Sequence, residues 1–268
     1  MTKPALTIAT FNVNSVNARL PNLLEWLAEA GPDVVCLQEL KCEDVKFPRE
    51  AIEDAGYSAL VHGQKSYNGV AILSRLPMEE VRRGLPLDDG EEDPQARYLE
   101  AEISVPGGRM VRVACLYCPN GNPLGTEKFA YKLRWMERLQ GHVRGLLALE
   151  EPLVLAGDWN IIPRPEDCHD PAAWAGDALF QPESRAAWRR LLNLGLTDAF
   201  MAVDGAGHAY TFWDYQAGAW QKDHGIRIDH FALSPQAADA LDSVRIWRPV
   251  RGREKASDHV PVSARLSF

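Results

Sequence analysis

Five strand-like apolar runs of this chain each meet an acid, an amide or an imidazole at one end. Phe11-Asn12-Val13-Asn14 closes the first run, and Leu37-Gln38-Glu39 closes the second. Gly157-Asp158-Trp159-Asn160 follows Pro152–Ala156. Ile226–Asp229 leads into His230–Leu233, and Ser257-Asp258-His259 leads into Val260-Pro261-Val262. Polar residues at strand ends cannot fill a core, so several on one sheet edge build a site on a rigid frame. All of them offer oxygen or nitrogen and none offers a thiol. That set suits a hard divalent ion acting on phosphate.

The runs also limit the fold. Leu6–Asn12, Asp33–Gln38, Gly69–Leu73, Tyr98–Val105, Met110–Tyr117 and Leu153–Ala156 read as strands, as do Tyr210–Tyr215, Arg227–Leu233, Ser243–Arg248 and Val260–Leu266. Pro106-Gly107-Gly108 is a hairpin turn. Arg19–Ala30 reads as a helix with Leu20, Leu23, Leu24 and Leu27 on one face, stopped by Gly31-Pro32. Pro48–Ala55 and Pro182–Leu194 are further helices, the second with Trp188, Leu191 and Leu192 inward. Thr126–Glu150 is the longest, with Phe129, Leu133, Met136, Leu139, Val143 and Leu146 at helical spacing.

Helices separate some strands and hairpins join others. This mixture predicts an α/β fold, a four-layered α/β sandwich in which two packed mixed β-sheets are flanked by helices. No linker interrupts it, so residues 1–268 are expected to form one catalytic domain. Asp88–Pro94 reads as a surface loop, and Pro163–Leu179 as an aperiodic excursion with a functional role.

No apolar run approaches the roughly 20 residues of a membrane helix. Met1-Thr2-Lys3-Pro4 leads straight into a strand pattern, which predicts no signal peptide and a cytoplasmic location. Cys115 and Cys118 form a C-x-x-C inside an apolar run, and with no second such motif they read as strand residues. The net charge of -8 argues against a protein that coats nucleic acid by bulk attraction. It leaves room for a nucleic-acid enzyme, whose site carboxylates are themselves negative until a metal ion binds.

Asp158 and Asn160 are two apart and point to one side of an extended segment. The order of the segments resembles the exonuclease III family of apurinic/apyrimidinic endonucleases, within the endonuclease/exonuclease/phosphatase superfamily. The matching stretches are Thr10–Asn14, Leu37–Lys41, His62–Lys65, Asn68–Ser74, Tyr117–Gly121, Gly157–Asn160, Tyr210–Tyr215, Gly225–Asp229 and Ser257–His259. Asn14 and Asn68 depart from residues that some members carry there.

The resemblance implies roles for particular residues. Glu39 would be the principal metal ligand, with Asp258 and Asn12 beside it. Asp158 would orient or deprotonate a water, and Asn160 would hold that water or a phosphate oxygen. His259 would donate to the phosphate, with Asp229 holding the imidazole in its charged form. Tyr117 would donate to phosphate. Lys41, Arg97, Lys128 and Lys132 would contact DNA, and Phe212, Trp213, Ile226 and Ile228 would wall a pocket for a base-less sugar.

The implied cofactor is Mg²⁺, with Mn²⁺ able to substitute. The implied partner is double-stranded DNA with abasic sites or 3′ ends, bound by a monomer with no membrane association. The implied activity is hydrolysis 5′ to abasic sites together with 3′-to-5′ exonuclease action. Two other classes remain at this level: a phosphoesterase for inositol phosphates or sphingolipids on the same scaffold, and a non-catalytic binding module. The Tyr210–Tyr215 and Gly225–Asp229 segments favour DNA over the first, and the complete set of catalytic residue types disfavours the second.

Overall fold

The structure, a computed structural model, describes residues 5–86 and 93–268. Met1–Pro4 and most of the Asp88–Pro94 loop lie outside the described residues. The first half comprises β1 (Ala5–Asn12), α1 (Leu20–Ala30), β2 (Val34–Gln38), α2 (Arg49–Asp54), β3 (Ser58–His62), β4 (Val70–Ser74), β5 (Met78–Arg83), β6 (Tyr98–Val105) and β7 (Arg109–Tyr117). The second comprises α3 (Glu127–Leu147), β8 (Leu153–Asp158), α4 (Pro182–Leu192), β9 (Thr197–Asp198), α5 (Ala199–Val203), α6 (Ala219–Lys222), β10 (Asp229–Leu233), α7 (Pro235–Ala238), β11 (Leu241–Ile246) and β12 (Val262–Ser267).

The described strands form two six-stranded sheets, ordered β11-β12-β1-β2-β4-β3 and β5-β6-β7-β8-β10-β9. Each strand shows one face to the opposite sheet and the other to helices, because successive side chains alternate. In β1, Leu6 and Ile8 enter the core between the sheets, while Ala9 and Phe11 pack toward α1. In β7, Val111, Val113 and Cys115 face the other sheet, while Ala114 and Leu116 meet α3. Burial on both faces is why these strands read as unbroken apolar runs. The layers are helix, sheet, sheet and helix, the expected sandwich.

The helices bury the stripes that geometry allows. α1 turns Leu23, Trp26 and Leu27 inward, and Gly31, at φ 57, ends it in the left-handed cap that a side chain would strain. Thr126 caps α3 through the backbone N–H of Lys128. The buried stripe of α3 is Lys132, Trp135, Met136, Leu139, Val143 and Leu146. It is rotated from the expected one: Leu133 is only half-buried, and Lys132 and Trp135 take the inner positions.

Tyr210–Tyr215 is not a strand. It contributes isolated bridges from Phe212 to Ile226 and from Phe212 to His259. Arg227 and Ile228 likewise precede β10 rather than belong to it.

Register places the functional strand ends together. β1 and β2 run parallel with Asn12 opposite Gln38, so Asn12 and Glu39 leave one edge. β7 and β8 run parallel with Tyr117 opposite Asp158. β10 is antiparallel to β8, which sets Asp229 at its start against Asp158 at the other's end. β12 is antiparallel to β1, which brings the preceding Asp258 and His259 to that same edge.

Candidate active site

The two sheets meet chemically at this edge. Asn12 on β1 donates through Nδ2 to Glu39 Oε1 at 2.8 Å and to Asp158 Oδ2 at 2.9 Å, tying one sheet to the other. Tyr117 donates its hydroxyl to Glu39 Oε1 at 3.0 Å across the same gap. His259 holds Asp229 Oδ2 at 2.9 Å through Nδ1, while its Nε2 lies 3.7 Å from Asp158 Oδ2. Asp158, Asp229 and His259 are all buried.

Local backbone geometry sets these directions. Glu39 and Asn160 adopt φ of 54 and 47, left-handed conformations that cost a non-glycine residue about 1 kcal/mol and recur at functional sites. Asp158 Oδ1 accepts the N–H of Asn160 at 2.9 Å, which fixes that turn. Thr211 Oγ1 accepts the N–H groups of Ile228 and Asp229 at 3.1 and 3.2 Å, anchoring the start of β10. Gly157 is required for contact: a Cβ there would stand 1.9 Å from the Leu116 carbonyl oxygen.

The electrostatics follow from burial and pairing. Burial pushes the Asp158 carboxyl up to about 7, Asp229 and Glu39 add to that, and His259 opposes it. Burial works against a charged His259, but Asp229 and Asp158 outweigh it and raise the imidazole to about 10. Burial also disfavours a charged Glu39, yet the Asn12 amide and the Lys41 ammonium hold it below its ordinary range. Burial, with Glu39 and Asp158 nearby, lifts Tyr117 well above 10, so its phenol stays a proton donor.

The donor set fits a hard cation. Glu39, Asp158 and His259 offer ligand atoms within 4.8 Å of one another. His259 carries a proton and faces Asp229, which leaves the carboxylates as the cation's partners. Lys41 shows where positive charge settles: its ammonium sits on Glu39 Oε2 at 2.9 Å and on Asn14 Oδ1. Asn14 Nδ2 in turn donates to Asp258 Oδ1 at 3.0 Å. Asp258 is therefore joined to the centre through Asn14 and stands outside the three-residue group. Asn12 presents its amide nitrogen to the carboxylates, while its Oδ1 accepts the N–H of Asn14 at 3.0 Å. It acts as a spacer between Glu39 and Asp158 and does not turn its oxygen to a cation here.

The expected DNA contacts divide. Lys128 is exposed at the start of α3. Arg97 is half-buried: its guanidinium lies 4.7 Å from the Tyr117 ring centroid, Nη1 donates to the Tyr117 carbonyl at 3.2 Å, and Nε donates to Gln95. Lys132 is not a DNA contact. It is fully buried, its ammonium is bound to the carbonyls of Asn120 and Asn160, and burial lowers its pKa.

The pocket residues divide as well. Trp213 is no pocket wall: it is fully buried in the core with Phe11 and Trp26, and its indole N–H donates to Asp223 at 2.9 Å. Ile226 and Ile228 instead join Ile162, Cys168 and Leu179 in a small apolar floor. Half-buried Phe212, Trp174 and Phe180 pack against it, and the Phe212 ring meets the His259 ring edge-on at 5.0 Å. Trp174 and Phe180 went unread in the sequence. The aperiodic excursion Pro163–Leu179, which carries Trp174 and ends beside Phe180, was the only sign of them. Asn120 was also missed as a site residue. Its Nδ2 donates to Asn160 Oδ1 at 3.1 Å.

Comparison with known proteins agrees with this geometry. The model of the endonuclease/exonuclease/phosphatase family matches residues 9–259. Exodeoxyribonuclease III of Haemophilus influenzae is 35% identical over 264 residues, 95% of this chain and 97% of that protein. A 3′ phosphatase from Neisseria, solved bound to a product DNA hairpin, superposes with a TM-score of 0.91 at 41% identity, covering 98% of this chain and 100% of that one. An AP endonuclease from Archaeoglobus fulgidus gives 0.88 at 35% identity, covering 97% and 98%. With carboxylates, an imidazole and a tyrosine gathered on the edge where its two mixed sheets meet, the chain belongs to the endonuclease/exonuclease/phosphatase family and, within it, to the exonuclease III group.

Proposed function

We propose that this chain is a metal-dependent DNA repair nuclease that hydrolyses phosphodiesters 5′ to abasic sites and removes nucleotides from 3′ ends of duplex DNA. The observation that carries the reading is the buried Asp229–His259–Asp158 line, with Glu39 beside it and the half-buried Phe212 ring against His259. Mg²⁺, with Mn²⁺ as a substitute, suits the oxygen donors, held by Glu39 with Asp158 or Asp258. When bound, it supplies charge neutralisation at the phosphate oxygens.

The chain's own residues do the rest. Asp158, raised by burial toward neutrality, is placed to take a proton from an attacking water. Protonated His259 presents Nε2 as a charged donor to a phosphate oxygen, and Asp229 keeps it charged and oriented. Asn160 and Asn120 add amide groups, and the protonated Tyr117 adds a phenol. An abasic nucleotide leaves the helix at lower cost than an intact one. The half-buried rings of Phe212, Trp174 and Phe180, packed on Ile226 and Ile228 beside His259, are the apolar surface against which a bare sugar would lie.

Lys128, Arg97 and Lys41 are the proposed DNA contacts that the fold leaves in reach of solvent. Residues 1–268 act as one catalytic domain, because β11 and β12 return beside β1. We read the protein as a cytoplasmic monomer. No helix of the described residues is long and apolar enough to cross a membrane, and all five cysteines are free and buried, as suits a reducing compartment. Cleavage of a duplex bearing one abasic analogue, with and without Mg²⁺, tests the proposal. Incision undiminished by excess chelator sinks the metal dependence, and equal incision of intact duplex sinks the abasic preference.

A further inference from the structure

We propose that Lys132 is a positioning residue of the active site: its buried ammonium, seated on the carbonyls of Asn120 and Asn160, locks the two asparagine-bearing loops so that the Asn120 amide holds Asn160 and the Asn160 amide faces Asp158. The inference rests on the phosphodiesterase reading of Asp158 and Asn160 given above.

A lysine ammonium is costly to bury and is seldom found without water or a carboxylate. Here both oxygens that hold it are backbone carbonyls: Asn120 at 3.0 Å, after β7, and Asn160, after β8. These loops carry the two amides of the site. Asn120 Nδ2 donates to Asn160 Oδ1 at 3.1 Å, and Asn160 Nδ2 donates to the Cys118 carbonyl at 2.9 Å and lies 3.4 Å from Asp158 Oδ2. One cation thus fixes both backbones from behind, while the side chains meet in front.

The chain makes room for this arrangement. Gly121, next to Asn120 in the loop after β7, has φ +94, and a Cβ on it would come within 2.8 Å of Lys132 Cδ and 3.1 Å of Ala178 Cβ. The lysine stem therefore occupies the space that a side chain at 121 would need. Asn160 itself sits at φ 47, a conformation that persists only where its surroundings over-determine it, and the ammonium on its carbonyl is one such constraint.

A DNA contact and a positioning residue predict different kinetics. Lys132→Met keeps the stem and removes the charge and donors. It should lower kcat on an abasic duplex by about 10²-fold, the scale of a lost oxyanion-type donor, with DNA Kd and its salt slope unchanged. Gly121→Ala, which pushes on the lysine stem with Lys132 intact, should do the same. In metal-free protein, amide exchange at Asn120 and Asn160 should quicken in both variants, a readout independent of activity. A weakened Kd with a salt slope lower by about one unit would make Lys132 a phosphate contact instead. Wild-type kcat in folded Lys132→Met, unchanged exchange at the two asparagines, or failure of both variants to fold would each overturn the proposal. Inactivity of the wild-type protein on every phosphodiester would sink the nuclease reading, and the exchange measurement would still decide the positioning role.

Discussion

Replacing Asp229 by Asn should convert His259 from a permanent cation into a group that titrates near neutrality. In the wild type, His259 stands at about 10 against 6.5 for a free imidazole. At 1.36 kcal/mol per pK, that difference is about 5 kcal/mol in favour of the imidazolium. Asp229 Oδ2 lies 2.9 Å from Nδ1, and Asp158 Oδ2 lies 3.7 Å from Nε2. With charge centres ~4 Å apart and an effective dielectric of ~20, one such carboxylate contributes about 4 kcal/mol. Asp229 therefore supplies most of what remains after burial is opposed. Its removal should drop His259 by ~2–3 pH units, to about 7–8.

The sign is definite. The folded-state pKa lies above the unfolded one, so the stabilisation is fully present below about 6.5 and is lost as pH rises through about 10. Activity that needs the imidazolium is lost over the same upper range, and in Asp229→Asn that loss should move to about 7–8. Histidine-selective NMR titration of metal-free protein reads the pKa, and the alkaline limb of kcat/KM reads its consequence. A wild-type His259 that titrates near 6.5, or an alkaline limb unmoved in the variant, would refute the pairing argument.

Glu39→Ala should abolish cleavage with little loss of melting temperature, and chelation of the wild type should mimic it; full activity of the variant would remove Glu39 from the metal site. Lys128→Ala should weaken DNA binding regardless of sequence and lower the salt slope by about one unit, read by fluorescence anisotropy at several ionic strengths. Gly157→Ala forces a Cβ to within 1.9 Å of the Leu116 carbonyl oxygen, so it should separate β7 from β8, shift Asp158 and lower both stability and activity. Phe212→Ala, at a half-buried ring against His259, should reduce discrimination between abasic and intact duplex more than it reduces the melting temperature.

The strand ends were legible because five apolar runs stop at polar residues, and a turn cap, which explains any one of them, does not explain all five. Asn12, Glu39 and Asp158 sit where the pattern placed them. Tyr210–Tyr215 misled because aromatic and β-branched residues favour strands, and sequence alone does not tell a ladder from two isolated bridges. Long-range polar networks left no local signal. Arg227 is buried with Asp167 at 2.9 Å and Asp198 at 3.2 Å, and those partners lie 60 and 29 residues away. Trp174 and Phe180 were hidden for the same reason: their place beside Ile226 comes from the path of an aperiodic segment and not from any repeat. Lys132 sits on a well-read helix, but the reading assumed that a lysine near the motifs faces solvent. Its burial depends on a glycine eleven residues earlier in sequence leaving the space for its stem.

Charge accounting explains why a site with so many carboxylates can stay folded before any metal arrives. Asp158 and Asp229 are almost wholly inaccessible, Glu39 is largely so, and three bare anions at that spacing would repel by several kcal/mol. Each has a cation or donor beside it. Lys41 and Tyr117 serve Glu39, His259 lies between Asp229 and Asp158, and Lys132 stands behind the Asp158–Asn160 turn. Burial and the neighbouring carboxylates raise Asp158, which costs stability at neutral pH, while Asp229 and Asp158 raise His259, which adds to it. The pair holds a base and a charged donor against each other at one edge. The Lys41 ammonium on Glu39 is partly exposed, with its side chain 32% accessible against 4% for His259, so an incoming metal ion can reach and displace it.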